Sequence, residues 1–213
     1  MPQLARLIPP LAWLLLAPGL LATPMPVGGE IQVNAGTAGR QLNPVLAARP
    51  GGGAVVVWED EQAGEDRTVF GRLVGAGGVP VGDDFQISVG TTDDRTSPSV
   101  AALPGGEFLV AWENSTDGGE FASVRTYDAA GQPGGVVVLE AADPDVSVFD
   151  PVAVAADDGH FVVIWETYDS DVNESAFRAR RVDAAGAAQG SVFTLESATA
   201  DDFVGSGVAA PRA

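Results

Sequence analysis

The residues with chemistry to offer are nearly all acids. The sharpest cluster is Asp169-Ser170-Asp171-Val172-Asn173, in which oxygen-bearing side chains alternate. That alternation lets a short loop wrap a hard cation such as calcium. The longer EF-type pattern does not continue, because Glu174 stands where that loop wants Gly and Arg180 where it wants a bidentate Glu. Asp169, Asp171 and Asn173 are thus the metal-site candidates, and calcium is the one cofactor the pattern suggests. The competing reading is a solvated acidic turn.

A second set is the repeated pair Trp58-Glu59, Trp112-Glu113 and Trp165-Glu166. A carboxylate beside an indole suits acid/base work or sugar stacking. Against this, Trp in an apolar strand is normally core, and its N–H needs only one partner. Repetition in every copy favours a structural role, since a catalytic centre needs one asymmetric constellation. The aligned Arg72, Arg125 and Arg180 are expected to pair with these glutamates or with an acid on the next repeat. No catalytic residue is assigned. His160 is the sole His and sits at a hairpin turn where other copies have Gly53 and Glu107. No Gly-x-Ser-x-Gly elbow, HExxH or phosphate-binding loop accompanies it. With 29 Asp and Glu, some carboxylate pair always falls near the spacing that glycoside hydrolysis uses, so that chemistry stays open. Asn114-Ser-Thr116 and Asn173-Glu-Ser175 match the glycosylation sequon.

The elements that must position these groups form an internal repeat. NPVLAARPGGGAVVVWED at Asn43, SPSVAALPGGEFLVAWEN at Ser97 and DPVAVAADDGHFVVIWET at Asp150 superimpose, with Pro44, Pro98 and Pro151 each 14 residues before Trp58, Trp112 and Trp165. The match runs on through FGRLVGAGG at Phe70, VRTYDAAGQ at Val124 and ARRVDAAGA at Ala179, and ends in DFQIS at Asp84, VVLE at Val137 and FTLE at Phe193. The period is 54 and then 53 residues. Repeats are read at 30–83, 84–136 and 137–192, with a partial fourth at 193–213.

Each copy carries four strand signals, a to d. Strand b is an almost unbroken run of Val, Ile, Leu, Phe and Trp, so it is expected to be buried on both faces. The Gly-bearing turns PGGG, PGGE, DDGH and DAAG are hairpin-like, so consecutive strands should be antiparallel. The Ala-rich strand a suits the innermost position. One four-stranded antiparallel sheet per roughly 50 residues describes a propeller blade. The fold class is therefore all-β, a β-propeller-like array of three complete blades plus a partial fourth in an incomplete ring. A d-type strand at Glu30 to Asn34 is expected ahead of the first blade, and an apolar edge near Val208 to Ala210. A β-sandwich or open stack of sheets is the competing architecture.

The sequence resembles the tandem ~50-residue repeats of bacterial secreted and surface proteins, with a GGFVVVWE-like strand and a VRxFDAxG-like strand. The resemblance covers Glu30 to Ala210. It implies a propeller-like extracellular module, often attached to calcium-binding or adhesive domains, and no catalytic residues.

Composition sets the remaining bounds. The chain has 213 residues, 11 Lys+Arg, 29 Asp+Glu, a formal net charge of -18 and no Cys. Apolar residues make up 46%, enough for a sizeable core. Disulfide, zinc-cysteine and Cys-nucleophile chemistry are excluded. The basic residues are scattered Arg, so the field that nucleic acid requires is absent. Arg6 followed by the apolar run Leu7 to Ala22 reads as a secretory signal peptide, residues 1–22. Residues 23–213 form the repeat domain, secreted to an extracellular or periplasmic location with no membrane span after cleavage. Sixteen acids are assigned to long b–c and d–a loops at one end, against Arg40, Arg67 and Arg95.

The favoured reading is a noncatalytic secreted or surface scaffold for binding or adhesion, not an enzyme. It would take an extracellular protein or glycan ligand, hold calcium on its acidic face, and self-associate through incomplete propeller edges. The alternative is a fragment of a propeller-type extracellular glycan-active enzyme. The two differ observably: an enzyme should gather carboxylates of different blades at one pocket near the axis with a raised pKa, whereas a scaffold should repeat equivalent residues.

Overall fold

A computed structural model describes residues 29–62, 66–90 and 93–199. The signal peptide, the Val208–Ala210 edge and Glu65, Asp201 and Asp202 lie outside them. Gly29 and Glu30, the described part of a first unit ending at Glu30, are exposed and without regular structure.

The described residues from Ile31 onward carry twelve strands. The first four are β1 (Arg40–Arg49), β2 (Gly53–Glu61), β3 (Thr68–Val74) and β4 (Pro80–Gln86). Next come β5 (Asp94–Ala102), β6 (Phe108–Thr116), β7 (Gly119–Tyr127) and β8 (Pro133–Val138). The last are β9 (Val146–Ala155), β10 (His160–Asp169), β11 (Glu174–Asp183) and β12 (Ala188–Thr199). They form three four-stranded sheets, each an antiparallel meander in chain order, β1–β4, β5–β8 and β9–β12. Each sheet therefore runs a to d, and Phe193, where a fourth repeat was expected to begin, lies inside β12, the outer strand of the third sheet.

Turn chemistry explains the meander. In the DAAG hairpins, the Asp128 carboxylate accepts the N–H groups of Ala130 and Gln132, and Asp183 accepts that of Ala187. Gly131 and Gly186 take the left-handed conformation that closes each turn. The expected d-type strand at Glu30 to Asn34 is not present: these residues have no strand assignment. Arg72 Nη1 donates to the Val33 carbonyl, and just after this segment the Ala35 and Gly36 N–H groups donate to Asp84. The apolar pattern is that of a d strand, but no described strand c pairs with it.

The sheets pack face to face in series, with β1, β5 and β9 as neighbours along one side. Strand β6 shows why strand b is apolar throughout. Phe108, Val110 and Trp112 pack toward the first sheet with Val55, Val57 and Ile87. Leu109 and Ala111 pack toward the third with Leu139, Phe161 and Trp165. Trp58, Trp112 and Trp165 are all buried, as the core reading expects.

Each inner strand is interrupted by one bulge, at Asn43-Pro44, Ser97-Pro98 and Asp150-Pro151. Asn43, Ser97 and Asp150 take φ values of 48°, 51° and 45° there. The left-handed residue leaves the ladder, which frees its polar groups to reach the neighbouring sheet. The aligned arginines do not pair with the Trp-Glu glutamates, one of the two kinds of partner the sequence suggested, and Arg72 lies 3.5 Å from the Asp84 carboxylate of its own sheet. Arg72, Arg125 and Arg180 reach backbone carbonyls of Gly82, Gly134 and Gly190 in their own strand d, and of Val33, Ile87 and Leu139 in the preceding segment. They clasp one repeat to the one before it.

Candidate functional site

The three bulges converge at one end of the inner strands. Asn43, Pro44, Val45 and their equivalents in the next two sheets, through Ser97 and Asp150, line a depression of about 500 Å³. The Ala-rich halves of the same strands line a second space, about 520 Å³, at the other end. Asn43, Ser97 and Asp150 line the first, and Arg49 and Asp157 the second.

Two of the Trp-Glu glutamates, Glu59 and Glu113, hydrogen-bond residues that line that depression. The buried Glu59 carboxylate accepts from Asn43 Nδ2 and from the Ser97 N–H, both at 2.9 Å, and Arg67 Nη1 lies 3.4 Å from its other oxygen. In the second sheet Glu113 accepts the N–H of Asp150 and a hydrogen bond from Thr96. The Ser97 hydroxyl donates to Asp150 Oδ1 at 3.1 Å, so the second and third sheets are linked across the depression.

Strand register exposes an asymmetry in this otherwise repeated layout. Glu59 lies opposite Val69, Glu113 opposite Ala122, and Glu166 opposite Phe177. Two residues before each of those partners stand Arg67, Glu120 and Ser175. Where Glu59 has a guanidinium, Glu113 has a second carboxylate. Burial first, then the charge of Glu120, push the Glu113 carboxyl up to about 7; the Asp150 N–H opposes this, the Asp150 charge adds to it and the Thr96 hydrogen bond opposes it least. Glu113 is thus a carboxyl of raised proton affinity, hydrogen-bonded to the N–H of Asp150, a residue that lines the depression.

The other sequence candidates fall elsewhere. Asp169 closes β10, and its Oδ1 accepts the N–H groups of Asp171 and Val172 within the turn. Asn173 has φ 53° and accepts from the Tyr168 hydroxyl. No group of three or more His, Cys, Asp or Glu side chains placed to hold a metal occurs among the described residues. His160 opens β10, and its ring nitrogen lies against Asp158. The acidic b–c loops are shorter than expected: Asp60, Glu61, Glu120, Asp169 and Glu174 lie within strands, and only Asp117-Gly118 separates β6 from β7. Asn114 of the first sequon is buried, bridging Trp112 Nε1 and Ser123.

No family model and no curated protein sequence matches the chain. Solved structures do. An α-L-arabinanase of Penicillium chrysogenum, complexed with arabinobiose, matches with a TM-score of 0.53 at 12% identity, over 70% of this chain and 49% of its own. An N-acetylgalactosamine deacetylase from F. plautii, complexed with blood group B trisaccharide, matches with a TM-score of 0.50 at 14% identity, over 73% and 51%. An endo-arabinase from Bacteroides thetaiotaomicron matches with a TM-score of 0.47 at 14% identity, over 72% and 61%. This chain spans about half the length of the first two. The fold is all-β and β-propeller-like. No helix among the described residues is long and apolar enough to cross a membrane.

These findings correct the expectation of a noncatalytic scaffold that is not an enzyme. The matching folds are those of enzymes, so this architecture gives no ground for excluding catalysis. Repetition gives none either, because Arg67, Glu120 and Ser175 break the repeat at the glutamates themselves.

Proposed function

We propose that the chain is a section of a propeller-type extracellular glycan-active enzyme, with Glu113 as the proton donor at the axial depression. The observation that carries this reading is the Glu113 carboxyl raised to about 7 by burial, Glu120 and Asp150 beside a cleft lined by a carboxylate of the next sheet. A carboxyl of raised proton affinity beside a second carboxyl is an arrangement by which glycosidic bonds are cut. The depression, at about 500 Å³, has the volume of an oligosaccharide-sized site. The sugars named with the two matching structures, arabinobiose and a blood group trisaccharide, support the same substrate class.

In this scheme protonated Glu113 gives its proton to the glycosidic oxygen as the bond to the anomeric carbon breaks. The leaving sugar departs as an alcohol. The Asp150 carboxylate, oriented by the Ser97 hydroxyl, faces the positive charge that develops on the ring. Water then adds to the anomeric carbon and its proton restores the acid.

The test is release of reducing ends from a panel of arabinans and N-acetylgalactosamine-bearing oligosaccharides. Hydrolysis that falls at least ~100-fold in Glu113→Gln supports the reading. Hydrolysis unaffected by that substitution, or no hydrolysis of any glycan, contradicts it.

A further inference from the structure

The two internal junctions use the same three devices. An arginine of the later sheet, Arg125 or Arg180, binds the carbonyl of Ile87 or Leu139 at the end of the earlier strand d. The Trp-Glu carboxylate of the earlier sheet, Glu59 or Glu113, takes the N–H of the later bulge residue, Ser97 or Asp150. The apolar side chain of Ile87 or Leu139 is fully buried between the two sheets.

The third sheet presents the earlier half of all three, with no later sheet against it among the described residues. Leu195 holds the place of Ile87 and Leu139 in the repeat, yet it is 53% exposed where they are 0%. Phe193, matching Phe85 and Val137, is 45% exposed. Glu166, matching Glu59 and Glu113, meets no bulge N–H among the described residues. Strand β10 alternates between buried and half-buried positions, whereas its counterpart β6 is buried on both faces over Phe108–Trp112. One face of the third sheet is buried at β10 and the other is only half-buried there, with Phe193 and Leu195 exposed on β12.

We propose that this half-buried face is a docking surface for a further blade of the same repeat. That blade would bring an arginine to the Leu195 carbonyl and a bulge N–H to the Glu166 carboxylate. The occupant follows from continuity with the two junctions already formed, whose earlier-side residues recur on this face as Leu195 and Glu166.

The experiment compares the full chain with an extended chain in which residues 142–199 are repeated in place of residues 198–213, keeping the repeat in register. Leu195→Asp and Glu166→Gln are introduced into both and thermal midpoints are measured. Each substitution is expected to leave the full chain within ~2 °C of its parent and to lower the extended chain by more than ~4 °C. Replacing by Ala the arginine of the added copy that corresponds to Arg180 should do the same. Equal shifts in both backgrounds would overturn the proposal, as would an added copy that proteases remove while the original sheets survive. Concentration-dependent dimerisation of the unextended chain, lost in Leu195→Asp, would overturn it in favour of a second copy as the occupant.

Discussion

Arg67 in the first sheet and Glu120 in the second occupy the same register position, each two residues before the cross-strand partner of a Trp-Glu glutamate. One position carries opposite charges in adjacent repeats. Around it the backbone, the bulges and the tryptophans are conventional repeat structure. The charge reversal adds to burial in raising the proton affinity of Glu113.

Replacing Glu120 by Arg should therefore make the second sheet resemble the first. The repulsion that helps hold Glu113 at about 7 disappears and an attraction replaces it. Carboxyl carbon NMR titration of Glu113 is expected to show its midpoint move down toward the ordinary range, and the alkaline limb of any hydrolytic rate should move with it. An unchanged midpoint would mean that burial alone sets the value.

The raised value also has a stability consequence with a definite sign. A carboxyl held at about 7 in the folded chain and at its ordinary 4.5 when unfolded binds its proton more tightly in the fold. Stability from this group is thus present in acid and lost as pH rises from about 4.5 to about 7. Glu113→Gln should be near neutral at pH ~5 and stabilising by roughly 1–2 kcal/mol at pH ~8, discounted for its partial exposure. Urea unfolding at the two pH values measures the difference.

The arginine clasps should matter far more than surface ion pairs. Arg125 donates to Gly134 and Ile87 carbonyls and lies over the Tyr127 ring, whereas Arg40, 67% exposed, pairs with Glu61 at the sheet surface. Arg125→Ala is expected to cost about 2–4 kcal/mol because it leaves a junction carbonyl unpaired between sheets. Arg40→Ala should cost less than about 1 kcal/mol. Denaturant midpoints at a common m-value decide between them.

The two sequons should behave differently in a glycosylating host. Asn114 is buried in a bond to Trp112, while Asn173 lies exposed in the β10–β11 turn. Peptide mass spectrometry is expected to find glycan at Asn173 and none at Asn114 of the folded protein.

Much of the architecture was legible in the sequence because it is periodic. The constant spacing from Pro44, Pro98 and Pro151 to the tryptophans located three blades, and the Gly-bearing turns set their antiparallel order. The segment before β1 misled because its Ile-Gln-Val pattern matches a d strand, while strand formation needs an edge to pair with. The site was harder to see for a related reason. Glu113 owes its character first to burial by the packed sheets, and then to Glu120 on the next strand and Asp150 on the next sheet, 7 and 37 residues away. Repetition made all three glutamates look alike, and only the register shows that Arg67, Glu120 and Ser175 are equivalent.

Whether Glu113 protonates a departing sugar is decided by varying how much the leaving group needs that proton. Glu113→Gln is assayed on an oligosaccharide cleaved by the parent protein and on an aryl glycoside of the same sugar with an acidic phenol as leaving group. The expected loss is ~100-fold or more on the oligosaccharide and less than ~10-fold on the aryl glycoside. Equal losses on both substrates would contradict a proton-donating role for Glu113.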